Sequence, residues 1–405
     1  MRIRSYRALR PQPELAGQIA SVPYDVVNTA ECRALVEGNP LSMLRVARSD
    51  LEFADGTDPY SEPVYARAKE NFQRLIASGS LVREAAPSLY IYQQQMGAHI
   101  QTGVAVLCHV EDYDNNLIKK HEKTRKDKED DRVRHTSTLS ANPGPVFLTY
   151  RDQPAIDDIV AAAIASAPLM SFVAHDGIRH TVWRITAPEK LVTAFKQVPC
   201  VYIADGHHRA ASAARVARER RAANPNHTGD EDYNWFLTVL FPAKQLRILP
   251  YNRLILELQG RSPRQLLAEL GRVGPVTSTT KPAPAAPGSV HLYLEGQWHA
   301  LALNPPPSAD PVSRLDVSLL QDKVLDPLLG IDDPRTSKRI DFVGGIRGTK
   351  YLEDAVNASR AAIAFSMHAV TIDQLMDISD AGQIMPPKST WFEPKLRDGL
   401  FMHQF

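Results

Sequence analysis

A chain of 405 residues with 43% apolar side chains can fill the cores of two or three domains, or of one elaborated α/β unit, as a soluble globular protein does. Its 47 basic and 46 acidic side chains nearly cancel, so there is no global basic field and nucleic acid is not an expected partner. No run of ~20 apolar residues offers a membrane span, the N-terminus lacks the apolar core of a signal peptide, and Cys32, Cys108 and Cys200 are scattered without motif spacing, so a cytoplasmic protein is expected.

Residues 3–9 alternate weakly and read as an opening strand, followed by a loop marked by Pro11, Pro13 and Gly17. Pro23 places Tyr24 and Asp25 in a short ordered loop before a helix capped near Thr29. Asp25 there is either a turn residue or a substrate contact. Residues 60–78 carry Val64, Ala68, Phe72, Leu75 and Ile76 at helical spacing and stop at Gly79. Residues 89–93 and 102–110 are rich in β-formers and predict an antiparallel pair.

Residues 119–132 are dense in charge of both signs, which reads as a solvated face or a mobile loop. The alternative is chemical: Glu122 as a general base or metal carboxylate, with Asp131 as a second acid and Arg132 as a phosphate-directed guanidinium. Asn142-Pro143-Gly144-Pro145 is a firm turn before a buried strand at 146–150. A helix at 156–167, apolar and alternating stretches at 169–174 and 180–185, and a short helix at 187–197 come next along the chain.

The apolar run 198–204 stops at Asp205-Gly206, and an alanine-rich helical segment begins at once, giving strand, tight turn and helix. Gly206 lets the backbone turn sharply or approach a ligand, and the new helix aims N–H groups back at the turn. With Arg209 these make a phosphate cradle. The plainer alternative is a surface turn in which Asp205 caps the helix. Adjacent histidines diverge, and no Cys-x-x-Cys or His-Glu-x-x-His pattern completes a structural metal site.

Residues 235–241 read as a central strand and 246–255 as another, interrupted by Pro250; Ser262-Pro263 opens a helix through Leu270. The proline-rich stretch 281–288 is the expected connector between a main α/β region, 1–280, and a C-terminal α/β region, 289–405, that packs on it. A hairpin turns around Gly296, and a helix covers 316–329. Residues 340–348 join a strand to a glycine-rich turn where Arg347 can contribute to substrate binding. Residues 386–392 form a rigid turn presenting Lys388, or a tail that simply docks.

Asp205-Gly206-His207-His208-Arg209 resembles the Asp-Gly-His-His-Arg box of the free serine kinases in the ParB/sulfiredoxin-like superfamily, whose nucleotide-binding fold places such a box at the phosphates. More broadly the chain resembles the DUF1015 family of unknown function. Val22-Pro23-Tyr24-Asp25-Val26-Val27, His121-Glu122-Lys123-Thr124, Asp131-Arg132, the box, and Met385-Pro386-Pro387-Lys388-Ser389-Thr390-Trp391-Phe392 carry that likeness.

The resemblance implies a mixed α/β fold with mixed sheets, a ParB/sulfiredoxin-like core and added segments. It also implies a kinase or related phosphotransferase, with ATP or ADP and Mg2+, acting on a hydroxylated or anionic metabolite, serine-like at first guess. On that reading Gly206, His208, Arg209 and Arg132 bind phosphate, and Asp205 holds magnesium or orients the acceptor. Glu122 and His207 join Asp205 as catalytic groups, Glu122 as the base, while Asp25, Arg347 and Lys388 contact substrate. A phosphate-ester or nucleotide hydrolase and a non-catalytic nucleotide-binding module are the alternatives, and homo-oligomerisation stays open.

Overall fold

Residues 89–109 supply β-formers on both sides of Gly97, whose φ of +59° suits a tight reversal. They fold as a long antiparallel hairpin at the heart of a nine-stranded mixed sheet. In chain order its strands are β1 (Ile3–Arg4), β2 (Leu89–Met96), β3 (His99–His109), β4 (Ile118–Lys119) and β5 (Val146–Tyr150). They continue as β6 (Met170–Val173), β7 (Arg179–Ile185), β8 (Val201–Asp205) and β9 (Trp235–Pro242). The order across the sheet is β4-β8-β5-β9-β3-β2-β7-β6, with β1 added beside β3. The β8–β4 and β9–β5 pairs are parallel and the remainder antiparallel.

Three helices carry or support the charged groups of this region: α1 (Glu62–Ala77), α2 (Lys126–Leu139) and α3 (His207–Ala223). Ala210, Ala213, Ala214 and Ala217 of α3 are buried in one cluster with Val146, Leu148, Ile203, Phe236 and Leu240 of the sheet. Small side chains let the helix lie close to the strands, as their spacing predicts. Its other side is ion-paired: Arg215 bonds Asp130 and Glu219, and Arg218 bonds Asp114. Phe72 and Leu75 of α1 meet Leu139 of α2 and Met402 in a separate cluster.

Two expectations give way here. The charged run is not a mobile loop: from Lys126 onward it is α2, which buries Asp131, Arg132, His135, Thr136 and Leu139. Its buried face is largely polar, so the hydrophobic periodicity that would betray a helix is missing. The expected strand at 3–9 is two strands, because the chain leaves the sheet after Arg4 and Leu9–Pro11 pairs with Leu81–Arg83 instead.

Structure is described for residues 1–405 in a computed structural model, and the chain divides into two units. The first holds residues 1–120, 124–246 and 394–405, and the second holds 121–123 and 247–393. The second unit has its own antiparallel sheet of β10 (Tyr251–Ile255), β11 (Val276–Thr279), β12 (Ser289–Leu294), β13 (Gln297–Ala302), β14 (Ile340–Gly344) and β15 (Ile363–Ser366). Their order is β11-β13-β12-β15-β10-β14. The division falls at Leu246/Arg247, and the proline-rich stretch 281–288 joins β11 to β12 within the second unit. Pro250 separates β10 from Arg247–Leu249, which pairs with Trp391–Glu393 outside the six-stranded sheet. No helix of the chain is long and apolar enough to cross a membrane.

At Gly103 in β3, a Cβ would stand 2.8 Å from the Phe241 ring and 2.9 Å from the Leu240 carbonyl oxygen. Gly103→Ala is therefore expected to destabilise the first unit by about 1–3 kcal/mol, read as a lower urea midpoint with unchanged slope.

Candidate functional site

Strand β8 ends at Asp205, the chain turns at Gly206 with φ of +95°, and α3 starts at His207. A left-handed turn of that kind favours glycine, and a glycine has no side chain with which to cap the helix. Asp205 does not cap α3 either. Its Oδ1 accepts from the Gly206 N–H at 2.8 Å, and its Oδ2 accepts from Lys395 Nζ at 3.0 Å. Burial opposes the charge on Asp205, but Lys395 and Arg209 outweigh it and hold the carboxyl well below the usual range. His207 is buried, and His208 Nε2 accepts from the Arg125 N–H at 3.0 Å, tying the start of α3 to the start of α2.

Arg209 points back under the turn. Its Nη1 donates to the Pro145 carbonyl and lies 3.5 Å from Asp398 Oδ1. Asp398 is 3% exposed, and its Oδ1 has no hydrogen-bond donor. The carboxylate presses on Gly144, where any Cβ would lie 1.9 Å from Oδ1. Arg132, in the second turn of α2, donates through Nε to Asp131 Oδ2 at 2.9 Å, and its guanidinium lies 4.0 Å from the centre of the Tyr24 ring. The Tyr65 hydroxyl donates to Asp131 Oδ1 at 2.8 Å.

These groups surround one small cavity lined by Tyr24, Arg132, His135, Gly144, Arg209 and Asp398, among others. About 30 Å³ of it is open to the centre of a water-sized sphere, room for water or a small group rather than a whole nucleotide. Burial dominates its titrations. It pushes the Asp398 carboxyl up to about 6 despite Arg209, with Asp25 adding to the rise, and it pulls His135 down to about 4, helped by Arg132. The Tyr24 hydroxyl is raised by burial and then by Asp25.

Of the residues singled out in the sequence, Asp205, Gly206, His207, His208, Arg209, Arg132 and Asp25 belong to the first unit, and Arg209 and Arg132 share the cavity. Asp25 is exposed beside buried Tyr24 and acts on Arg209 through its field. Both oxygens of Asp205 are engaged, so it could ligate magnesium only by releasing Lys395.

Glu122, Arg347 and Lys388 belong to the second unit. Glu122 is half-buried next to His121, whose carbonyl accepts from the Met385 N–H at 2.8 Å. Arg347 lies over the Tyr351 ring at 5.2 Å, and Lys388 Nζ lies 5.5 Å from the centre of Tyr251. The glycine-rich turn there serves packing, since a Cβ at Gly344 would meet the Trp391 indole at 2.7 Å. The sequence marks Tyr24 only as a loop residue and singles out neither Lys395 nor Asp398. Both lie in the C-terminal stretch, with no motif spacing to distinguish them from surface charge.

A model of the family described as "Protein of unknown function (DUF1015)" matches residues 3–318. No protein with a curated description matches the chain. Among solved structures, a conserved hypothetical protein from Pyrococcus furiosus is 14% identical, covering 73% of this chain and 94% of its own, with a TM-score of 0.38. A free serine kinase in complex with AMP is 12% identical over 73% of this chain and 91% of its own, with a TM-score of 0.39. SbnI with a C-terminal truncation, from Staphylococcus aureus, is 12% identical over 73% and 86%, with a TM-score of 0.40.

The raised Asp398 carboxyl sets a pH dependence. Its contribution to stability is complete below the ordinary value of 3.8 and is lost as pH rises through about 6. The stability of the wild type, read from thermal melts, should therefore fall between pH 5 and pH 7 by roughly 1–1.5 kcal/mol, whereas Asp398→Asn flattens that slope.

Proposed function

The chain belongs to the DUF1015 family, and from that premise we propose that it is a nucleotide-dependent phosphotransferase. It moves phosphate from ATP or ADP to a hydroxylated metabolite, with a serine-like acceptor as the first candidate. The observation that carries the reading is the junction of β8 and α3. A left-handed glycine opens a 17-residue helix, and the Arg209 guanidinium lies directly beneath the turn. The positive end of a helix, backbone that a ligand can approach, and a fixed guanidinium are what a phosphate group needs.

Phosphoryl transfer depends mainly on positioning and charge neutralisation. On this reading Gly206, His208 and Arg209 hold the phosphates, with Arg132 adding positive charge from the cavity. Asp205 is the magnesium carboxylate, and the ion would neutralise phosphate charge once Lys395 had left Oδ2. Glu122 takes the acceptor's proton, His207 assists, and Asp25, Arg347 and Lys388 contact substrate. A second reading, a nucleotide-binding module without turnover, is favoured by one observation: both Asp205 oxygens are satisfied by protein donors.

Thermal shifts with ATP, ADP, CTP and GTP, with and without magnesium, test the site. A nucleotide at about 100 times its Kd should stabilise the wild type by about 2.7 kcal/mol, and Arg209→Ala should lose that gain. Arg209→Lys keeps a buried cation and separates lost binding from lost folding. No shift with any nucleotide removes the proposal. Where binding occurs, Glu122→Gln should keep it while lowering transfer to a serine-like acceptor by about 10²–10⁴-fold. Phosphate release without an acceptor would indicate a hydrolase, and binding without any turnover the module.

A further inference from the structure

The cavity beside Arg209 is lined by two guanidiniums that keep unfilled donors. Arg132 bonds Asp131 Oδ2 through Nε at 2.9 Å, with Nη2 2.7 Å from the same oxygen, and its Nη1 has no protein acceptor. Arg209 donates through Nη1 to the Pro145 carbonyl, and its Nε and Nη2 have no protein acceptor. None of these three nitrogens is among the polar atoms sealed from solvent without a partner, so each keeps surface that a small molecule can touch. The two side chains are 10% and 14% exposed, and both line the cavity. Asn142, also in the lining, turns its amide oxygen to the Leu237 N–H, which leaves Nδ2 to donate.

A water needs about 10–15 Å³ of the space open to a water-sized sphere, so the roughly 30 Å³ here holds two waters or one ion of one to three heavy atoms. Water can fill donors but supplies no charge. Asp131 neutralises Arg132 without being part of the lining, whereas the lining offers Arg209 only Asp398, 3.5 Å away and with no hydrogen bond to its Oδ1. Burial drives that carboxyl toward its neutral form, so it is a weakly held counter-charge. A second cavity, beside α1 and residues 40–46, is larger at about 110 Å³ and includes Leu41, Val46 and Leu75 in its lining. There Arg45 is already satisfied by Glu52 and by the Asn39 and Val36 carbonyls.

We propose that the smaller, charged cavity binds a small monovalent anion between the guanidiniums of Arg132 and Arg209. The anion replaces Asp398 as the counter-charge of Arg209, and Asp398 takes up a proton as it binds. The groups that face Asp398 are Arg209 of α3, Arg132 of α2, Asp25 of the loop after Pro23, and Asp205 at the end of β8. His135 of α2 also lines the cavity and, lowered to about 4, stays neutral from pH 5 to pH 7. With the Asp398 carboxyl raised to about 6, proton uptake makes binding strengthen as pH falls through that value. The inference goes beyond the nucleotide reading and does not use it.

The linewidth of the chloride NMR signal in the presence of the full chain, without nucleotide, is the test, with formate as competitor. The wild type should broaden the signal, formate should reverse the broadening, and affinity should be about tenfold tighter at pH 5 than at pH 7. Asp398→Asn should bind at pH 7 as the wild type does at pH 5 and lose the pH dependence, a gain that a misfolded chain could not give. Arg132→Gln should lose the binding. Acetate and glycolate identify the source of the anion: displacement by formate alone marks a free ion, and displacement by all three marks the carboxylate end of an organic acid. Broadening that formate does not reverse, equal affinity at the two pH values, or broadening unchanged in Arg132→Gln means adventitious surface ions only and overturns the proposal. The nucleotide reading stands or falls separately, on the thermal shifts with nucleotides.

Discussion

Two guanidiniums, those of Arg132 and Arg209, lie in the interior of the first unit, and much of its local architecture answers the need to neutralise them. An unpaired buried charge costs several kcal/mol, so each must find partners wherever the fold can bring them. Arg132 takes Asp131 from its own helix and the Tyr24 ring from a loop over 100 residues earlier. Arg209 takes the Pro145 carbonyl from the turn before β5 and Asp398 from the C-terminal stretch. The requirement reaches the backbone too, since Gly144 must lack a side chain for the Asp398 carboxylate to lie where it does.

The C-terminal stretch supplies charge to several places at once. Lys395 holds Asp205, Arg397 is buried against Asp176, and Asp398 faces Arg209. Around these pairs its backbone and side chains are built into the first unit. The Tyr6 hydroxyl donates to the Phe401 carbonyl, Leu9 bridges Met402, and His403–Gln404 pairs with Ala141–Asn142. A segment this enmeshed is part of the core, and the ionised state of Asp205 at the turn before α3 depends on it.

Compensation is incomplete in two places. Asp398 Oδ1 has a cation nearby but no hydrogen bond, and Asn71 Oδ1 has neither a hydrogen bond nor an ion partner. The two cavities differ in their lining: one is bordered by Arg132, Arg209 and Asp398, and the other by Leu41, Val46 and Leu75.

Where local pattern governs structure, the sequence is enough. The strand, glycine turn and helix at 198–223, the hairpin of β2 and β3, α1 stopping before Gly79, and the capping of Pro263–Val273 by Ser262 come from periodicity, turn chemistry and capping. The Asp-Gly-His-His-Arg box is legible for the same reason, since its residues are adjacent in the chain. Helix α2 is hidden because its buried positions are filled by Asp131, Arg132 and His135, whose burial is tolerable only after Tyr24 and Tyr65 arrive from elsewhere. The sequence by itself thus determined most of the elements, the family and the position of the Asp-Gly-His-His-Arg box between strand and helix. The pairing of Lys395 with Asp205, the placing of Asp398 beside Arg209, and the two cavities were decided only by tertiary structure, because each joins residues whose attraction acts through space and leaves no spacing in the chain.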